Sequence, residues 1–213
     1  MTIRSQSPYT LSDAELQAVA AHGTARAYPR NAIVVSEGDN TDSLYVILEG
    51  QVKIYASDEG GREVVFGTQG PGEYFGEMVL DEGPRSASVI TLEKSRFLVV
   101  RKPQLRELIA ANPEFALNMM KKLITRVRAL TASVKSLALM DVYGRVARLL
   151  VELAEQKDDA LVIDGRFTQQ DLASRVGASR EMVGRVLKDL TEGGYLSMQR
   201  NKIVINRRPP EHW

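Results

Sequence analysis

From Glu114 to Asp141 the chain keeps a helical period without a break: Leu117, Met120, Ile124, Val127, Thr131, Val134, Ala138 and Asp141 recur in steps of three and four. That spacing is the a/d stripe of a two-helix seam, and a helix this long is expected to pair with something. Packing on the chain's own domain remains open, because Leu123, Leu130 and Leu137 add a second apolar line beside the first. Thr131 is the odd member. Its hydroxyl can be buried by bonding a carbonyl one turn back, or it can meet a polar ligand at the seam.

Before the long helix the period is different. "LSDAELQAVAA", from Leu11 to Ala21, opens with a short helix capped by Ser12 or Asp13. Between Ala32 and Val100 come the β-rich runs "AIVV", "SLYVILEG", "QVKIYAS", "EVVFGT", "SASVITLE" and "SRFLVV", separated by clusters of Gly, Asp, Asn and Pro. This reads as a compact antiparallel barrel or roll. Gly38, Gly50 and Gly72 supply turn conformations. Within it, "PGEYFGEMVLDEGPRSASV" sets Glu77 and Arg85 among small residues in a loop, and that loop needs an explanation.

Beyond the long helix, a mostly helical segment leads to "FTQQDLASRVGASREMVGRVLKDLTEGGYLSMQRNKIVINRR". Thr168 fits an N-cap with Asp171 in the capping-box position, Gly177 allows a tight turn, and Ser179 caps a second helix with Val183, Val186, Leu187 and Leu190 inward. "YLSMQ" and "KIVIN", with Arg200 and Asn201 between them, read as a small two-stranded wing. The formal charge of the whole chain is only +1. Locally, Arg166, Arg175, Arg180, Arg185, Lys188, Arg200, Lys202, Arg207 and Arg208 outnumber Asp171, Glu181, Asp189 and Glu192. At the start of the second helix, Arg180, Glu181 and Arg185 can share an exposed face. Arginine forks fit guanine O6 and N7, and glutamate accepts from the cytosine amino group. The alternative is a solvated face with an intrahelical pair, since Glu181 and Arg185 stand four apart. Read as a DNA-binding unit, it has Thr168, Gln170, Ser179 and Lys188 as positioning contacts to phosphate.

"FGEM" with "PRSAS", followed far downstream by "TQQDLASRVGASREMVGRVLKDL", resembles the cyclic AMP receptor protein and FNR family of bacterial transcription regulators over nearly the full length of 213 residues. The resemblance implies an α+β architecture. It comprises a cyclic-nucleotide-binding β-roll over residues 1–113, a dimerisation helix over 114–139, and a winged helix-turn-helix over 140–213. In the cyclic-nucleotide branch, a short helix and loop bind the ribose and the cyclic phosphate. The matching positions are Phe75, Gly76, Glu77, Arg85, Ser86 and Ala87. A phosphodiester anion needs a fixed guanidinium, which Arg85 supplies beside the Ser86 hydroxyl; Glu77 can accept from the ribose 2′-hydroxyl, and Gly76 lets the backbone approach the sugar. A plain Glu77–Arg85 pair is the alternative. By the same resemblance Thr131 bonds the adenine amino group across the dimer, Leu130 stands where a second hydroxyl is expected, and Arg126 closes over the phosphate.

The implied ligand is cyclic AMP, with cyclic GMP, cyclic di-GMP or ligand independence left open. The implied partners are double-stranded DNA, a second copy of the chain and RNA polymerase, with half-sites resembling TGTGA and TCACA. Ligand shifts the dimer between two arrangements and sets two recognition helices about one DNA turn, roughly 34 Å, apart. The chain has no cysteine, and His22 and His212 are its only imidazoles, which removes the iron–sulfur and haem branches and leaves no metal expected. No stretch approaches the apolar length of a membrane span and no leader pattern opens the chain, so a cytoplasmic protein is expected. A phosphodiesterase would need paired metal-binding carboxylates, a nucleophile beside a His or a Gly-Lys-Ser loop, and none is present. A ligand sensor that regulates another protein is the remaining class, disfavoured by the basic helix-turn-helix.

Overall fold

The computed structural model describes residues 10–81, 83–157, 160–164, 167–199 and 202–210. Arg166, Arg200, Asn201 and His212 lie outside them. Ser12 caps the first helix, α1 (Asp13–Ala20), in a full capping box with Glu15. The β-rich runs then form β1 (Thr24–Tyr28), β2 (Ile33–Val35), β3 (Ser43–Glu49), β4 (Val52–Ser57), β5 (Glu63–Gln69), β6 (Tyr74–Phe75), β7 (Ser88–Thr91) and β8 (Ser95–Arg101). Among the described residues they pair into two four-stranded sheets, ordered β1-β8-β3-β6 and β2-β7-β4-β5. β1 and β6 add to the runs expected from sequence. "TARAY" is exposed along four of its five positions, so no buried alternation marks it as a strand.

Two cores hold the roll. One is aromatic: Tyr45 stacks on Phe75 with centroids 4.9 Å apart and planes within 5°, and Phe97 meets both edge-on. This fixes Phe75 and the chain that follows it. The other joins β3 and β8 to α1, to α2 (Lys102–Ala111) and to Phe115 and Met119 at the start of α3 (Pro113–Leu139). Phe115 and Met119 are the buried residues of α3. Its long stripe is exposed instead: Leu117, Met120, Ile124, Val127, Leu130, Val134 and Leu137 are each 45% to 64% accessible.

By density of contacts the chain forms two units, the first comprising residues to Ser57 with Val65–Arg128, the second Asp58–Val64 with the chain from Ala129 onward. In the second unit Asp141 caps α4 (Val142–Leu153) by accepting from the Gly144 N–H at 2.7 Å. β9 (Glu155–Lys157) and β10 (Ala160–Asp164) follow, then α5 (Gln169–Val176), α6 (Arg180–Glu192), β11 (Leu196–Gln199) and β12 (Lys202–Ile205). The two-stranded wing expected from sequence is part of a larger sheet, ordered β11-β12-β10-β9. The run "ALVID" is short and apolar, and it gains strand identity from pairing with β12 rather than from a local pattern. α4, α5 and α6 close over one core of Val146, Leu150, Leu172, Val183, Leu187 and Leu190.

Candidate functional site

Phe75, Gly76, Glu77, Arg85, Ser86, Ala87 and Arg126, seven of the residues expected to meet a ligand, line a single cleft, with Val35, Ile54, Met78 and Val89 as its apolar wall. The free space is about 400 Å³, counting solvent at the mouth, at the lower end for small-molecule sites. Thr131 is exposed on α3 and is not among the lining residues.

Arg85 is the buried cation of this cleft, 5% accessible. Its Nε donates to Thr41 Oγ1 at 2.6 Å, Nη1 to the Gly76 carbonyl at 2.7 Å and Nη2 to the Ser43 carbonyl at 2.6 Å. Its backbone is held by Asp39 and Gly38. Burial pulls its pKa down from the usual guanidinium value, opposed by Tyr45, Glu77 and Asp42, yet an arginine stays charged at any physiological pH. A guanidinium has five N–H donors, and three are engaged. Among the described residues two are left over, on a desolvated charge whose hydrogen-bonded partners there are all neutral. An anion in the cleft would offset the cost of that desolvation by charge-assisted hydrogen bonds.

Gly76 has φ +83° and precedes a short 3-10 turn, Glu77–Leu80. A Cβ there would sit 2.9 Å from the Ser43 carbonyl oxygen and 3.0 Å from Arg85 Nη1. The glycine therefore makes room for the Arg85 guanidinium itself.

Glu77 does not pair with Arg85. Its carboxylate accepts from Arg126 at 2.9 Å, each side chain being less than a fifth exposed. Arg126 also donates to the Tyr74 carbonyl at 2.8 Å and lies over the Tyr74 ring, 4.9 Å from its centroid. With its amide turned to satisfy both neighbours, Gln69 donates to the Tyr74 carbonyl and accepts from Arg126. Burial pushes the Tyr74 phenol up to about 12. Thr41, Ser43, Gln69 and Tyr74 were not legible as site residues. They act on the two arginines across long stretches of chain, and no local spacing reports that.

In the second unit, Thr168 caps α5 with its hydroxyl committed to Asp171: it donates to Oδ2 at 2.7 Å and accepts from the Asp171 N–H at 3.1 Å. Gly177, with φ +63°, ends α5 and sends the chain to Ser179, whose Oγ accepts from the Met182 N–H at 3.2 Å. Ser179, Arg180, Glu181, Arg185 and Lys188 are all exposed, as is Gln170 on α5. Glu181 is held below the usual carboxylate range by its own backbone N–H and the Ser179 hydroxyl, with Arg180 and Arg185 adding to the effect. No ion pair joins Glu181 to Arg185, while Lys188 reaches Glu192 at 3.7 Å. α6 thus presents two guanidinium forks that join no ion pair among the described residues, with the Glu181 carboxylate beside them.

The model of the cyclic nucleotide-binding domain matches residues 25–112, and that of the Crp-like helix-turn-helix domain matches residues 144–209. A CRP-like cAMP-activated global transcriptional regulator of Mycobacterium tuberculosis is 35% identical over 184 residues, covering 84% of this chain and 82% of that protein. The chain belongs to the CRP-like family of transcription regulators. The cAMP-activated global transcriptional regulator Vfr of Pseudomonas aeruginosa is 34% identical over 198 residues, covering 89% of this chain and 92% of Vfr. Among solved structures, the c-di-GMP responsive global regulator CLP of Xanthomonas campestris superposes with a TM-score of 0.80 at 29% identity, covering 91% and 99% of the two chains. The CRP-like relatives are regulators rather than enzymes. Among the described residues no helix is long and apolar enough to cross a membrane, and no cluster of three metal-ligating side chains occurs.

Proposed function

We propose that this CRP-like regulator is a homodimer switched by cyclic AMP that reads a TGTGA/TCACA-like palindrome. The observation that carries the ligand reading is Arg85: a buried guanidinium lining the cleft, with two N–H donors left beyond those that fix it. One fixed fork suits one phosphodiester. The Ser86 hydroxyl, exposed on the same cleft, is a further donor. Glu77 accepts from the ribose 2′-hydroxyl once Arg126 turns from it toward the phosphate. The apolar wall of Val35, Ile54 and Val89 takes the flat faces of sugar and base.

The exposed stripe of α3 supports the dimer, since apolar side chains in steps of three and four bury themselves against a second copy. Thr131 lies on that seam and bonds the adenine amino group across it. On α6, Arg180 and Arg185 read guanines and Glu181 a cytosine, while Gln170, Ser179, Lys188 and the N-terminus of α5 at Thr168 position the phosphates. RNA polymerase is the partner that a DNA-bound regulator of this family addresses.

Cyclic di-GMP is the second reading, because the CLP structure is a c-di-GMP responsive neighbour. It carries two phosphates, and Arg85 is the buried cation that lines this cleft among the described residues. The test is calorimetric titration of nucleotide-stripped protein with cyclic AMP, cyclic GMP and cyclic di-GMP. Micromolar binding of cyclic AMP, lost in Arg85→Ala and weakened in Ser86→Ala, supports the proposal. Heat with none of the three removes it.

A further inference from the structure

The outer side of α6 is almost wholly charged, with Arg180, Glu181, Arg185, Lys188, Asp189 and Glu192 exposed. Beside the polar Thr191, the exposed residue without charge is Met182, an apolar side chain 40% accessible. The core beneath is filled without it, by Val183, Val186, Leu187 and Leu190. Its backbone N–H donates to the Ser179 cap, which fixes it in the first turn of the helix. That turn is the part of a recognition helix that approaches base edges.

The only apolar group that base edges show in the major groove is the 5-methyl of thymine. A thioether on three rotatable bonds is soft and long enough to close on such a methyl from a helix flank. Its neighbours Arg180, Glu181 and Arg185 end in charged groups that suit polar base edges rather than a methyl. We infer that Met182 is a specificity residue that reads a thymine 5-methyl group. The inference rests on the proposed reading of α6 as the helix that enters the major groove.

The experiment begins with selection of preferred sequences from random duplexes by the full-length protein, with and without cyclic AMP. Failure to select any sequence overturns the reading of α6, and this inference with it. Each thymine of the selected duplex is then replaced in turn by deoxyuridine, which removes the methyl alone. One position in each half-site is expected to weaken by about fourfold, the factor that burial of one methyl-sized group supplies. Met182→Ala should be indifferent to that replacement, whereas Met182→Leu should keep the sensitivity. Unchanged binding of both variants to unrelated duplex checks that the exposed position left the fold intact. If no thymine responds, or if Met182→Ala responds as the parent does, the methyl is not read by Met182.

Discussion

Arg85 in the cleft and Arg185 on α6 carry the same guanidinium in opposite surroundings. Arg85 is 5% exposed and donates to three protein oxygens, whereas Arg185 is exposed and joins no ion pair with its helical neighbour Glu181. In the ligand cleft the residue that would bind also holds the loop together, so binding and stability are coupled. On α6 the residues proposed to read DNA stand on a core built by others, so they can change without cost to the fold. On the proposed reading, that arrangement lets such a regulator alter its DNA sequence more freely than its ligand.

The largest effect should come from Arg85→Ala. It leaves the Gly76 and Ser43 carbonyls and the Thr41 hydroxyl without their donor, and about 2–4 kcal/mol of stability should be lost in denaturant unfolding, together with nucleotide binding. Full stability in this variant would break the comparison. Arg185→Ala should lose about 1–3 kcal/mol of discrimination at one base pair while its unfolding midpoint stays within about 0.5 kcal/mol of the parent. Uniform weakening over all duplexes would make Arg185 a phosphate contact instead.

Two left-handed glycines sharpen the contrast. Gly76→Ala should cost about 2 kcal/mol, because the backbone strain adds to a clash with Arg85 and the Ser43 carbonyl. Gly177→Ala should cost about 1 kcal/mol, since the neighbour within reach is the flexible Leu137 side chain. Equal costs would erase the distinction.

Much of this division is legible in the sequence, and the illegible parts have a common cause. The Thr168–Asp171 capping box, the Gly177 turn and the Ser179 cap are local, so spacing alone places them. The cleft's seven expected residues come together as the motif implies. The pairing of Glu77 with Arg126 is not legible, because it joins a loop of the roll to α3 and depends on where that helix runs. Nor is the strand β10, which is specified by its β12 partner. Arg85 looks available in the sequence because two of its three acceptors are backbone carbonyls, which no residue type announces.

The smallest effect concerns pH. Glu15 sits in the α1 capping box and contacts Lys122 at 3.4 Å, both side chains nearly buried. Desolvation raises its pKa, but the Ser12 hydrogen bonds and Lys122 outweigh it and hold the carboxyl below its usual value of 4.5. A depressed folded-state pKa means stability that is present above pH 4.5 and is lost as pH falls through the folded value. Glu15→Gln should therefore lose about 1 kcal/mol at pH 7 and flatten the acid limb of the stability profile. An unchanged acid limb would place the proton uptake elsewhere.

Under the proposed function, occupancy of the cleft changes how α6 meets DNA. The direct measure of that change is fluorescence anisotropy of a TGTGA/TCACA duplex with the full-length protein, with and without saturating cyclic AMP. The account predicts that cyclic AMP tightens binding by about 5- to 150-fold, the usual range of a coupling free energy, and that an unrelated duplex shows no such gain. Equal affinity with and without cyclic AMP would contradict it, since a ligand that binds both arrangements alike shifts neither.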